Sequence, residues 1–264
     1  MAGTEMDKEV EYEGLEVPHS EGKPLRKKKA YMIAVVVAST SIIILLIILI
    51  IFINKMSQND INVNEGFQAV LPQKKICFDP ADPSTYEEYV KVYNKTIEPY
   101  ERSKIEGNRI NCAEADPKED EVCHFADTWL NNCKKGNLWG FKSSRPCILL
   151  TVNRNMSFIP EPFSSSGDLP DGMPEDLKEE IKASGDLNEL IGVHCSHASE
   201  YDPLPGFTKN FIINKNRTDF LPPLVGVTFD LQDIDHLDVE CTLWSNTTSV
   251  NPFPKVYFKI GKQC

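Results

Sequence analysis

The run from Tyr31 to Ile53 contains no charged side chain and follows a basic block, Arg26-Lys27-Lys28-Lys29. No other segment of the sequence is long and apolar enough to cross a bilayer. A spanning helix needs about 20 apolar residues to match roughly 30 Å of hydrocarbon. Bulky residues such as those from Ile42 to Ile53 each favour insertion by about 0.3–0.6 kcal/mol. The pattern predicts a transmembrane helix over 30–54. Basic residues beside a span stay cytoplasmic, and Lys23 with the Arg26 to Lys29 cluster outweighs the single Lys55 on the other side. The expected orientation puts residues 1–29 inside and the large C-terminal portion outside. A cleaved signal peptide would have a shorter apolar core of about 7–15 residues and a small-residue cleavage site. Ile53-Asn54-Lys55-Met56 offers no such site.

Cysteines and sequons fall on the outer side. Cys77, Cys112, Cys123, Cys133, Cys147, Cys195, Cys241 and Cys264 all follow the apolar run, a bias expected of an oxidising compartment. No Cys-x-x-Cys pair occurs, so neither a structural zinc site nor any other metal is expected. His194-Cys195-Ser196-His197 reads as a half-cystine with two ordinary neighbours. Four Asn-x-Ser/Thr sequons, at Asn94, Asn155, Asn216 and Asn246, are candidate glycosylation sites on solvated surface. The formal net charge of −11 argues against a nucleic-acid partner, because a phosphate backbone calls for a basic footprint.

Along the chain, residues 1–29 mix Glu5, Asp7, Glu9, Glu11, Glu13 and Glu16 with a basic end. They hold too little apolar surface to offset ordering entropy, so a disordered tail is expected. Its basic cluster can also touch anionic membrane lipid, at about 1 kcal/mol per residue. Ala30, Ala34 and Ala38 recur every fourth residue. That stripe is either a docking face for a partner helix or filler in a lone anchor. Residues 55–82 are expected to form a stalk. From Pro83 to Arg102, Tyr86, Tyr89, Val90, Tyr93 and Ile97 have the spacing of an amphipathic helix, with Ser84 as N-cap and Glu87 completing a capping box. A second helix is expected from Pro174 to Ile181, with Glu175 and Asp176 at its positive end. Cys147 to Val152, Leu224 to Phe229, Val239 to Leu243 and Val256 to Ile260 read as strands. The expected fold is one N-terminal transmembrane helix plus a disulfide-stabilised β-sandwich over 83–264 with helical insertions.

Several stretches carry a family resemblance. They are Ser84-Thr85-Tyr86-Glu87-Glu88-Tyr89-Val90, Cys123-His124-Phe125 with Leu130 and Cys133, Pro146-Cys147-Ile148-Leu149-Leu150, Asn153-Arg154 and Phe158-Ile159-Pro160. Further on come Pro205-Gly206-Phe207, Pro223 to Phe229, Glu240-Cys241 and Val256 to Ile260. In order and spacing they resemble the beta subunit of sodium/potassium-transporting and proton/potassium-transporting P-type ATPases, with this chain a divergent member. The resemblance implies an immunoglobulin-like domain outside the plasma membrane, with bridges at Cys112–Cys123, Cys133–Cys147 and Cys195–Cys241. Cys77 and Cys264 fall outside that set; they pair with each other or with another molecule. It further implies a non-catalytic chain without cofactors, partnered with a catalytic alpha subunit whose folding, delivery and potassium handling it assists. Contacts would fall at Ala30, Tyr31, Ala34 and Ala38 in the membrane, and outside it over the Phe207 to Ile213 stretch, at Phe207 and Phe211. The segment before the membrane lacks the family's Trp and Gly, and Thr208 to Asn214 replaces its tyrosine-rich stretch.

Two other classes compete. A lumenal glycosyltransferase shares the topology and could use Asp233-Ile234-Asp235 to hold a metal-bound nucleotide sugar, but flanking Asp230 and Asp238 point to a polar loop. A type II membrane glycoprotein acting as an adhesion or receptor module needs no pump. No Gly-x-Ser-x-Gly elbow and no Gly-rich phosphate loop occurs.

Overall fold

A computed structural model describes residues 66–183, 189–247 and 253–262, together with Ile44, Leu45 and Ile47. The chain divides into two compact units, Met1–Asn62 and Val63–Cys264. Of the first, Ile44, Leu45 and Ile47 are helical with exposed side chains. The expected tail and the rest of the expected span lie outside the described residues, and no helix among those described is long and apolar enough to cross a membrane.

The second unit is built on two sheets. The first has the order β1-β5-β9-β7, from Phe67–Ala69, Cys147–Val152, Leu224–Phe229 and Ala198–Asp202, and its pairs are antiparallel. The second has the order β2-β11-β10-β6-β8, from Lys75–Phe78, Lys255–Lys262, His236–Trp244, Leu190–Cys195 and Gly206–Thr208. Its β2–β11 pair is parallel and the others antiparallel. A two-stranded parallel ribbon, β3 (Arg109–Ile110) with β4 (Val122–Cys123), stands apart. The core lies where the sheets face each other: Phe229 meets Phe258 edge-on at 5.9 Å, and Phe67 meets Phe207 at 6.4 Å. Val256, Phe258 and Ile260 are buried while Tyr257 and Lys259 are exposed, which is the alternation of a strand with one covered face.

Helix α1 spans Glu87–Arg102 and buries Tyr89, Tyr93, Ile97 and Tyr100 along one stripe. That stripe packs on the 3-10 turns of Lys135–Ser143, which bring Phe141 within 5.6 Å of the Tyr86 and Tyr89 rings and Trp139 within 5.3 Å of Tyr93. Leu138, Trp139 and Gly140 are consecutive left-handed residues, with φ of 52°, 55° and 77°. Two of the three bear side chains that disfavour this conformation. At Gly140 a Cβ would also overlap the Arg145 carbonyl. The turn is held because it delivers Trp139 into the core with its indole N–H donating to Asn94 Oδ1 at 2.9 Å.

The expected capping box does not form. Asp82 caps a 3-10 turn at Pro83–Thr85, its carboxylate accepting from the Ser84 N–H and hydroxyl at 3.0 and 2.7 Å. A carboxylate two residues earlier captures Ser84 before it can serve α1. Helix α2, Glu175–Ala183, sits near its expected place and covers β6 with Leu177 and Ile181. Of the expected stalk over 55–82, Phe67–Ala69 and Lys75–Phe78 are strands of the domain instead, and residues 55–65 lie outside the described ones. Phe67 and Ile76 are fully buried, and β1 and β2 belong to the sandwich, because their apolar side chains complete the core at each sheet's edge.

Candidate functional site

Among the described residues three bridges can be traced at both ends. Cys112–Cys123 ties β4 to the loop after β3, and Cys133–Cys147 ties the start of β5 to the loop ahead of it. Cys195–Cys241 joins residues directly opposite on β6 and β10, so it staples one sheet rather than spanning two. Cys77 is disulfide-bonded, and its candidate partner Cys264 lies outside the described residues.

The outer contact segment begins at β8, an edge strand paired with β6 through Ile191↔Phe207 and Gly192↔Gly206. A Cβ at Gly206 would overlap the Ile191 carbonyl, so glycine is needed for this close pairing. Phe207 is only 2% exposed and points into the core against Phe67. The expected contact at Phe207 is therefore corrected: strand alternation turns this ring inward, and Thr208 takes the outer position. Phe211 ends a 3-10 turn, Lys209–Phe211, and is half-buried. Its ring stands edge-on to Trp129 at 5.7 Å and Phe125 at 6.1 Å, and Phe125 continues to Tyr100 at 5.8 Å. Tyr100 donates its hydroxyl to the Pro222 carbonyl at 2.6 Å, and burial pushes its pKa above the ordinary phenol range.

Polar side chains anchor this aromatic ridge. Asn210 Nδ2 donates to Asp116 Oδ1 at 2.8 Å, and Asn214 Nδ2 donates to the Lys118 and Glu121 carbonyls at 2.7 and 2.6 Å. Lys209 Nζ meets Glu161 at 2.5 Å. His124 Nδ1 lies 3.1 Å from Ser103 Oγ; desolvation, then Arg109, holds its pKa below the ordinary imidazole value, against a smaller opposing effect of Asp127. Trp129 joins this surface without any signal in the sequence reading, because a lone aromatic in a 3-10 turn has no periodicity to reveal it. Ala30, Tyr31, Ala34 and Ala38 lie outside the described residues.

Asn155, Asn216 and Asn246 are exposed, whereas Asn94 is half-buried in α1 with its amide oxygen committed to Trp139. Among the described residues, no group of three or more His, Cys, Asp or Glu converges as a metal site. Cys195 is bridged, and His194 Nε2 instead faces Asp176 at 3.7 Å. Asp235 faces Lys262 at 4.0 Å. What the arrangement offers is packing and hydrogen bonding.

These features define a β-rich, disulfide-bridged domain. The family model described as the sodium/potassium ATPase beta chain matches residues 33–255. A sodium/potassium-transporting ATPase subunit beta-1 of Drosophila melanogaster is 27% identical over 202 residues, covering 70% of this chain and 64% of that one. A subunit beta-2 of the same organism is 32% identical over 144 residues, covering 49% and 45%. Protein ATP1B4 of Rattus norvegicus is 30% identical over 183 residues, covering 63% and 46%. The chain thus spans about half to two-thirds of the length of these relatives. It belongs to the sodium/potassium ATPase beta chain family.

Proposed function

We propose that the chain is a non-catalytic beta subunit of a sodium- and potassium-exchanging P-type ATPase, assisting its catalytic alpha subunit in folding, membrane delivery and potassium handling. The observation that carries this reading is the match over 33–255, which takes in most of the apolar run and the two-sheet domain up to the start of β11. The chain is anchored by the 30–54 helix as a type II protein of the plasma membrane, with an immunoglobulin-like, glycosylated domain outside. Ala30, Tyr31, Ala34 and Ala38 pack beside a helix of the alpha subunit, and a bridge between Cys77 and Cys264 ties the domain's first strands to its end. Outside the membrane the ridge of Phe211 and Trp129 meets the alpha subunit.

Such a subunit acts by binding. Association with the folded alpha chain stabilises it by mass action. An effect on potassium affinity follows only if the beta chain binds two pump states unequally, and a coupling of about 1–3 kcal/mol is ordinary for such linkage.

The test is expression of an alpha subunit with and without this chain, reading arrival of the alpha subunit at the cell surface and ouabain-sensitive potassium uptake. Both rise with the chain present. Recovery of a homo-oligomer without any ATPase chain from mild detergent would instead favour an adhesion or receptor module.

A further inference from the structure

The turn that carries Trp139 into the core leaves its neighbour outside. Leu138 is 37% exposed, has φ of 52° and belongs to neither core cluster. Trp139 is 1% exposed, and its burial accounts for the backbone path through this turn. That burial does not account for a leucine at 138. Glycine has no Cβ to crowd the following carbonyl, and asparagine can bond locally, so both meet a left-handed backbone at less cost. Leucine at this position therefore serves something other than the fold. Cationic side chains lie on the two elements beside it. The turns expose Lys134 and Lys142, and α1 exposes Lys91 and Lys95, four residues apart on one helix face. Turn and helix are fastened on either side of Leu138 in the chain: Lys135 Nζ meets Glu101 Oε2 at 2.6 Å, and Trp139 Nε1 donates to Asn94 Oδ1 at 2.9 Å. Among the described residues Lys91, Lys95, Lys134 and Lys142 have no ion pair, because the carboxylates of α1 are engaged elsewhere. Glu98 is held by Arg102 and Glu101 by Lys135, while Glu87 and Glu88 lie in the first turn, at the positive end of the helix.

We infer that Leu138 and these four lysines form a docking ridge for an acidic protein segment, which sets carboxylates against the lysines and an apolar socket over the leucine. Charge complementarity selects the partner. In a chain of net charge −11, a local group of uncompensated ammonium groups attracts carboxylates and orients them, contributing more to encounter and specificity than to affinity. Leu138 supplies the affinity, since covering its side chain removes apolar surface from water inside a polar rim. The strained backbone fits this role, because left-handed non-glycine residues gather where a ligand is gripped. A sulfated polysaccharide would satisfy the lysines but has no use for an exposed leucine, and that side chain is what favours a protein. The ridge is separate from the contact proposed at Phe211, and the inference stands whether or not an alpha subunit is the partner there.

The test pans a displayed library of short random peptides against the full chain in mild detergent, then measures the synthesised winners by fluorescence anisotropy. The selected peptides are expected to be rich in Asp and Glu and to carry a large apolar residue. Their affinity is expected to fall at least about tenfold in Leu138→Asn, the effect of losing one buried leucine anchor. The Lys95→Glu/Lys134→Glu double variant is expected to weaken them by a similar factor, and added salt to weaken binding to the unaltered chain, because the lysines are exposed. Selection of no peptide, or of neutral and basic ones, overturns the inference, as does an affinity that Leu138→Asn leaves unchanged. Heparin serves as a second probe: a chain that binds heparin and no peptide carries a general polyanion surface, which also overturns it. The fold has its own readout. Leu138→Asn is expected to raise the urea midpoint of the full chain, since asparagine suits the left-handed backbone better. A lower midpoint would show that the leucine serves the fold after all, and the ridge would lose its anchor.

Discussion

The two sheets of the domain solve burial differently. Every residue of β5 and β9 is buried, whereas β10 and β11 alternate between buried and exposed positions along most of their length. The first sheet has a second cover: the turns carrying Trp139 and Phe141 pack on β5, and α1 packs on those turns. The second sheet keeps an outer face at β2, β11 and β10, set with Lys75, Lys259, Asp238, Glu240 and the half-exposed Tyr257. A sheet covered twice has nothing left to offer a partner, and a sheet covered once does. The outer face of the second sheet and the ridges between elements, such as that of Phe211, are open at the surface, and the β5–β9 centre is not.

The largest effect expected separates these faces directly. Phe141 is fully buried among Phe78, Tyr86, Tyr89 and Tyr93. Phe141→Ala is expected to cost about 3–5 kcal/mol, the range for losing a core aromatic. Tyr257→Ala on the open face is expected to change stability by less than about 0.5 kcal/mol. Urea unfolding of the full chain, followed by tryptophan fluorescence, measures both, and equal costs would abolish the distinction between the sheets. A smaller effect sharpens it. Asn94→Ala leaves the buried Trp139 N–H without its acceptor, a loss of about 1–3 kcal/mol. Asn94→Asp keeps an acceptor oxygen while also destroying the sequon, so it is expected to recover most of that stability. If both variants behave alike, the indole bond is not what holds the left-handed turn.

The same contrast explains what could be read from the sequence. Continuous apolar runs at Cys147 to Val152 and Leu224 to Phe229 signal strands buried on both faces, and the alternation from Val256 to Ile260 signals one open face. Those patterns are local and survived folding. The contact role of Phe207 came from family resemblance, and only pairing with Ile191 reveals which way its ring turns. Asn94 matches a sequon within three residues, but its oxygen is committed to Trp139, far along the chain. Leu138 and Trp139 have no intrinsic preference for positive φ; burial imposes it. Ser84 lost its expected role to Asp82, a competition between two good capping residues that spacing alone does not decide. Bridge pairing came from family resemblance, since cysteine spacing leaves many connectivities open.

A pH effect tests the ridge rather than the sheets. Desolvation chiefly, with Arg109 second, lowers the His124 pKa below its ordinary value of 6.5 in the folded chain. The unfolded state then binds more protons as pH falls, so stability declines below about pH 6.5 and levels off once His124 is protonated in the folded state as well. His124→Gln is expected to flatten that part of a pH–stability curve measured by urea midpoint. An unchanged slope would mean that the ridge does not burden the imidazole.

The smallest expected effect belongs to the open face. Lys255 Nζ meets Glu240 Oε1 at 2.6 Å across β10 and β11. A hydrogen bond from Lys255 is the main reason the Glu240 carboxyl sits below the ordinary carboxylate range, against the opposing effect of burial. The stability this contributes is present at neutral pH and disappears as pH falls through the lowered value. Both side chains are more than a third exposed, so water and salt screen the pair, and Glu240→Gln is expected to cost less than about 1 kcal/mol. The effect should shrink further when sodium chloride is raised to about 1 M, where the Debye length is about 3 Å. A loss comparable to that of Phe141→Ala, insensitive to salt, would show that this face is covered after all and would return the second sheet to the same class as the first.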